Sequence, residues 1–270
     1  MLARLFSLGA LMFIVSATSA SVQADDFHVV TDLYNDGSAK PASTNTTIFQ
    51  AGRVYDFLAR HTTSDNHGEP SDSQVSIFDP LKGRFVLLDP ARKVKVEIDK
   101  DRLVEMSGSL RTWASNQSDP LKKFSSEPRF TEVASSKPDE VIFNSPVLSY
   151  RVVSFVPDSP EVAKQYREFT DAFARLNAVT NPGSLPPFPR LAVNEALSKR
   201  NAAPREVELT IPAKNKLIGK PIVRRTEHQF EWHVTPGDEE KVGKAGQWLA
   251  EFTKVSLDDY VRPTSGVAQK

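Results

Sequence analysis

The chemistry open to this chain near neutral pH rests first on five histidines, His28, His61, His67, His228 and His233. His61 and His67 share a polar stretch with Asp65 and Glu69, a composition that can hold an adventitious cation. Their spacing matches no helical or strand ligand geometry, so solvated loop side chains are the plainer expectation. His228 falls on the apolar side of an alternating run and reads as a structural histidine. The acid pairs Glu239-Glu240 and Asp258-Asp259 fall in segments expected to be exposed helix and tail, where solvated charge is the ordinary role. No Gly-x-Ser-x-Gly elbow, His-Glu-x-x-His helix, phosphate-cradling glycine loop or Gly-x-Gly-x-x-Gly turn occurs. Hydrolases whose two acids come from distant positions leave no such signature, which keeps a scattered-site hydrolase as the weakest of three readings. With no cysteine, disulfides, thiolate metal sites, a cysteine nucleophile and a lipid-modified N-terminal cysteine are all excluded. No catalytic residue, metal ligand set or cofactor is assigned.

The aromatic residues carry more information. Phe49, Tyr55, Phe57, Phe78 and Phe85 fall in one N-terminal strand-rich region, and Phe169 and Phe173 lie on the stripe of a later helix. Such residues ordinarily fill a core. They line an apolar ligand cavity if the sheet curves and helices cover its concave face incompletely.

These side chains depend on a stretch from Gln74 to Ile98 that predicts three strands. Val75 and Ile77 alternate with polar residues. Asp79-Pro80-Leu81-Lys82-Gly83 is a turn in which Asp79 can cap, Pro80 presets φ and Gly83 can take positive φ. Phe85-Val86-Leu87-Leu88 is apolar on both faces and so is expected to be covered on both sides. Asp89-Pro90 opens a second turn, and Val94, Val96 and Ile98 then alternate with Lys93, Lys95 and Glu97. Before this meander, Phe27–Tyr34 reads as a strand, Ser38–Asn45 as a loop, and Thr46–Phe49 with Arg53–Leu58 as a hairpin.

After it, Leu103, Met106, Leu110 and Trp113 predict an amphipathic helix, and Ser118–Arg129 a polar loop. Val141–Phe143 and Leu148–Val156 read as a hairpin, with part of the second strand lining any cavity. Asp158-Ser159-Pro160-Glu161 opens the strongest helix signal, with Val162, Tyr166, Phe169, Phe173 and Leu176 on one stripe. The proline-rich run Pro182–Pro189 is either a linker or a surface crossing. A short helix is expected over Ala192–Lys199. Strands follow at Val207–Ile211, Leu217-Ile218, Ile222-Val223 and Glu227–Val234, with His228, Phe230, Trp232 and Val234 on one face. Asp238–Lys254 reads as a helix with Val242, Trp248, Leu249 and Phe252 inward.

Arg4, an apolar run of 11 residues from Leu5 to Val15, and Val22-x-Ala24 have the three parts of a secretory signal peptide over residues 1–24. The run is shorter than the about 20 residues of a membrane span. No later segment is apolar enough to cross a membrane. Cleavage leaves 246 residues with net charge −1, since Arg4 is the only charged residue removed. That balance argues against a nucleic-acid surface. A long exported chain without cysteine fits a bacterial periplasm or exterior, so the sequons at Asn45 and Asn116 read as chance. Residues 25–257 are expected to form a single α+β domain, and 258–270 a polar tail.

The strand, Asp-Pro turn, strand, Asp-Pro turn unit, with Phe78-Asp79-Pro80 and Leu88-Asp89-Pro90, resembles the periplasmic lipoprotein-carrier half-barrels of the LolA/LppX type over roughly Phe27–Trp113. The loop Ser38–Asn45 and the region from Pro157 depart from a minimal carrier, and no functional residue carries over. The resemblance implies a curved antiparallel sheet with helices on its concave side, where acyl chains bind. The expectation is therefore α+β, a half-barrel-like sheet with three or four helices on its concave face. The expected function is a non-enzymatic envelope protein binding a lipid or acylated ligand, with Phe49, Tyr55, Phe57, Phe78, Phe85, Phe169 and Phe173 around it. The alternative is a protein-interaction domain with a filled core and an envelope protein partner.

Overall fold

The computed structural model describes residues 26–61, 72–181, 183–213 and 219–262. The expected signal peptide, His67 and the Leu217-Ile218 strand lie outside them. The first six strands are β1 (Phe27–Asn35), β2 (Ser43–Gln50), β3 (Arg53–Arg60), β4 (Asp72–Asp79), β5 (Arg84–Asp89) and β6 (Val94–Asp99). Two helices follow, α1 (Lys100–Ser115) and α2 (Pro120–Ser126), then β7 (Thr131–Ala134), β8 (Glu140–Asn144) and β9 (Ser149–Phe155). Next come α3 (Pro160–Thr180), α4 (Phe188–Ser198), β10 (Ala203–Ile211) and β11 (Ile222–Glu231). The described chain ends with α5 (Pro236–Glu251), β12 (Thr253–Lys254) and α6 (Leu257–Val261).

All the strands belong to one open sheet, in the order β12-β6-β5-β4-β3-β2-β1-β11-β10-β9-β8-β7. Every neighbouring pair is antiparallel except the short β12 beside β6. The fold is α+β, as expected. Local hairpins generate both flanks, and β11 closes the gap between them by pairing with β1 over eight residues. Strands from both sides of the proline-rich run therefore share one sheet, with β9 beside β10.

Both Asp-Pro turns form as read. Asp79 Oδ1 accepts from the Lys82 amide at 3.1 Å, and Asp89 Oδ1 from the Arg92 amide at 2.9 Å. Gly83 has φ +60°, whereas the matching residue of the second turn, Lys93, has φ +53°. A Cβ on Gly83 meets nothing within 4 Å. Only the left-handed backbone then opposes a side chain, at about 1–2 kcal/mol. Gly83→Ala should accordingly lower the unfolding midpoint by a few degrees, and Lys93→Gly should raise it or leave it level. Thermal unfolding of both variants checks the pair, and a stabilised Gly83→Ala would contradict it.

Strand alternation splits the apolar residues between two layers. Phe85 and Leu87 join one buried cluster and Val86 and Leu88 another, so β5 is covered on both faces, as its unbroken apolar run requires. The first cluster includes Leu103 of α1, Tyr260 of α6, and Val162, Tyr166, Phe169, Ala172 and Leu176 of α3. In register with it, β8–β10 pack Phe143, Tyr150, Val152 and Val207 against Val193 and Leu197 of α4. The opposite face packs Ile48, Phe57, Val75, Ile77, Val86 and Leu88 against Ala245 and Phe252 from the α5 region. Thr235 and Asp238 cap α5 reciprocally, and His28 Nδ1 lies 2.8 Å from Asp238 Oδ2, tying the helix start to β1.

Several sequence expectations need correction: β2 starts inside the expected loop Ser38–Asn45, and α5 ends at Glu251, with Thr253–Lys254 forming β12. The segment Ser118–Arg129 is not all loop: Asp119 accepts from the Leu121 and Lys122 amides at 3.0 and 3.2 Å and starts α2, with Pro120 at its first position. Helix α4 begins inside the proline-rich run, where Pro189 is tolerated because it needs no amide partner in the first turn. Residues 257–261 form α6, which Ser256 caps, and Tyr260 is buried with the Arg92 guanidinium 5.2 Å from its ring centre. Val234 does not share a face with His228 and Phe230. The chain turns after β11, and Val234 packs on the α5 side. Six helices are present among the described residues, and no described helix is long and apolar enough to cross a membrane.

Candidate functional site

The cross-strand register sorts the α3-facing side of the sheet into rows. The first row runs Phe27, Phe49, Val54, Phe78, Phe85 and Ile98 across six strands. The next row inward is Val29, Thr47, Asp56, Ser76, Leu87 and Val96, with Phe230 opposite Val29. A third begins with His228, Thr31 and Asn45. One end of this face is therefore aromatic, and its middle is polar.

The aromatic end is continuous. Phe27 stacks on Phe49 at 4.2 Å and Phe78 on Phe85 at 4.7 Å. Phe169 of α3 stands 5.8 Å from Phe49, 6.3 Å from Phe78 and 6.5 Å from Phe85, and Phe173 adds a contact at 5.4 Å. Phe230 links this layer to Phe155 at 5.1 Å and to Trp232 at 5.7 Å. Trp232 is 53% exposed, so the layer reaches the protein surface at that residue.

The polar middle is buried. Asp56 is 4% exposed and accepts from Thr47 Oγ1 at 2.7 Å and Asn45 Nδ2 at 2.8 Å. Burial raises its pKa to about 6, and those two donors offset part of the rise. His228 Nδ1 lies 3.0 Å from Thr31 Oγ1 and 3.2 Å from the Tyr166 hydroxyl, and its Nε2 lies 3.0 Å from Thr226 Oγ1. Burial, with Arg190 adding repulsion, lowers its pKa to about 3, which keeps the imidazole neutral. Burial pushes the Tyr166 phenol up to about 12. On the same helix, Gln165 Nε2 is buried without a hydrogen-bond partner. These groups can donate and accept hydrogen bonds toward a polar group. Asp56 and His228 do not contact one another: Asp56 is held by a hydroxyl and an amide, and His228 by three hydroxyls.

Of the seven residues expected around a cavity, Phe49, Phe78, Phe85, Phe169 and Phe173 gather in this layer. Tyr55 and Phe57 do not. Odd positions of β3 face the other way, and both pack under α5. Period-two alternation from Val54 already separates them, but aromatic clustering along the sequence masked it. Sequence reasoning also missed Asp56, Thr47 and Asn45. Their only signal is polar residues at inward positions of strands with buried neighbours.

His61 is exposed, and its Nε2 lies 2.9 Å from Thr44 Oγ1. Among the described residues, no three acidic or histidine side chains are grouped to hold a metal ion. Comparison with protein-family models and with curated proteins finds no match.

Proposed function

We propose that the chain is a non-enzymatic exported protein that binds an amphipathic ligand in the cell envelope, between α3 and the face of the sheet that carries Phe49, Phe78 and Phe85. In this reading the sheet is a half-barrel curved around its helix layer, as the resemblance of the Asp-Pro meander to lipoprotein-carrier half-barrels implies. The N-terminal apolar segment directs export. The observation that carries the proposal is the division of one buried face into an aromatic end, reaching the surface at Trp232, and a polar middle around Asp56 and His228. Burying a carboxyl and an imidazole carries a desolvation cost, which for Asp56 its two hydrogen-bond donors offset only in part. A molecule with an acyl part and a polar part meets complementary surface on both. The aromatic rings fill the layer without ligand, so loading requires α3 to shift.

The direct test is mass spectrometry of an organic extract of the purified mature protein beside a mock preparation, followed by titration with a fluorescent fatty acid. Stoichiometric lipid, or saturable binding of the fatty acid, supports the reading. An empty extract with no binding overturns it. That result favours a protein-interaction domain, whose contact surface would then be the end of the sheet where Val156 and Trp232 are 66% and 53% exposed.

A further inference from the structure

A concave feature lies where helices α1 and α3 meet. A cleft of about 190 Å³ runs between α1 and α3, with Leu103, Val104 and Ala172 as its apolar lining and two cations, Lys100 and Arg175, beside two acids, Glu168 and Asp171. Leu103 and Ala172 belong to the same apolar cluster as Phe85 and Phe169, so the cleft floor is the roof of the aromatic layer.

Its charges are unequally satisfied. Lys100 Nζ pairs with Glu168 Oε1 at 3.0 Å. Asp171 accepts from Asn194 Nδ2 at 2.8 Å and lies 3.4 Å from Arg167 Nε. Arg175 is half-buried, and its guanidinium donates to the backbone carbonyl of Asp171 at 2.9 Å. No ion pair joins Arg175 to a carboxylate among the described residues. Burial lowers its pKa, Asp171 opposes that effect, and Arg111 nearby adds like-charge repulsion. A guanidinium in this state is stabilised by an incoming oxyanion, which it can hold in bidentate fashion.

We propose that the α1–α3 cleft binds the anionic head of a single-chain amphiphile, a carboxylate or a phosphate, with Arg175 as its ligand and Leu103, Val104 and Ala172 against the first methylenes. This rests on the amphiphile-binding reading above and adds a second site for such a ligand, separated by Leu103 and Ala172 from the aromatic layer. The experiment compares dodecanoate, dodecyl phosphate and octaethylene glycol monododecyl ether, a neutral amphiphile of equal chain length. Each is titrated into the mature protein below its micelle concentration. The wild type should bind at least one anionic probe about tenfold more tightly than the neutral one, the scale of a charge-assisted hydrogen bond. Arg175→Gln should bring that probe to the level of the neutral one, and Arg175→Lys should keep a preference and show that loss of folding is not the cause. The stronger anionic probe distinguishes a carboxylate ligand from a phosphate one. Equal binding of all three probes, or an anionic preference kept in Arg175→Gln, overturns the inference and leaves the amphiphile reading intact. No binding of any probe overturns both.

Discussion

Phe169→Ala should destabilise the chain by about 3–5 kcal/mol, the range for truncating a buried phenylalanine. Phe169 touches Phe49, Phe78, Phe85 and Phe173 and is the side chain that joins α3 to the aromatic row. For a chain of this length the loss corresponds to a fall in unfolding midpoint on the order of 10 °C. The same substitution makes the space that an acyl chain would otherwise have to open by moving α3. An apolar chain added to Phe169→Ala should therefore recover part of the lost midpoint, because a ligand that binds only the folded state stabilises it by mass action. Phe57 provides the control. It is 1% exposed, packs under α5 on the other face, and should be as damaging to truncate. Dodecanoate should not rescue Phe57→Ala. Equal rescue of both variants would place the binding elsewhere or make it nonspecific.

That contrast between Phe169 and Phe57 also marks how far the sequence could be read. Period-two alternation, the paired Asp-Pro turns and the helix stripe from Val162 to Leu176 are local signals, and each produced the element expected of it. The double-sided apolar run of β5 foretold cover on both faces, and both covers are present. What local pattern could not convey is which distant strand lies beside which. The pairing of β11 with β1 places His228 beside Thr31, a contact with no signature in the sequence near His228. Thr47 and Asp56 face each other across the expected hairpin of β2 and β3, where polar residues at inward positions run against the ordinary pattern. Short elements were missed for a related reason. β7 has four exposed residues, and α2 is set by a single Asp-Pro cap, so neither has a periodic stripe long enough to notice.

The buried polar middle should show itself in the pH dependence of stability, through two groups that act in opposite senses. Asp56 has its folded pKa raised to about 6 from 3.8. The folded state therefore favours the protonated acid. Its ionisation penalty is absent below about pH 4, grows as pH rises, and is complete above about pH 6, at of order 3 kcal/mol. His228 has its folded pKa lowered to about 3 from 6.5. Its neutral form is favoured by folding, so its contribution is full above pH 6.5 and is lost as pH falls toward 3, at of order 5 kcal/mol. Between pH 6 and 4 the two slopes partly cancel in the wild type. Asp56→Asn removes the term that strengthens the fold on acidification, so its unfolding midpoint should gain on the wild type at pH 7.5 and lose that advantage at pH 4.5. His228→Gln removes the opposing term, so its midpoint should fall less than that of the wild type over the same interval. Midpoints measured for the three proteins at both pH values test the pair together. Parallel pH profiles for all three would mean that neither group is buried in the state that unfolds. The polar middle of the sheet face would then be open to water, and with it would go the reason for assigning it to a ligand.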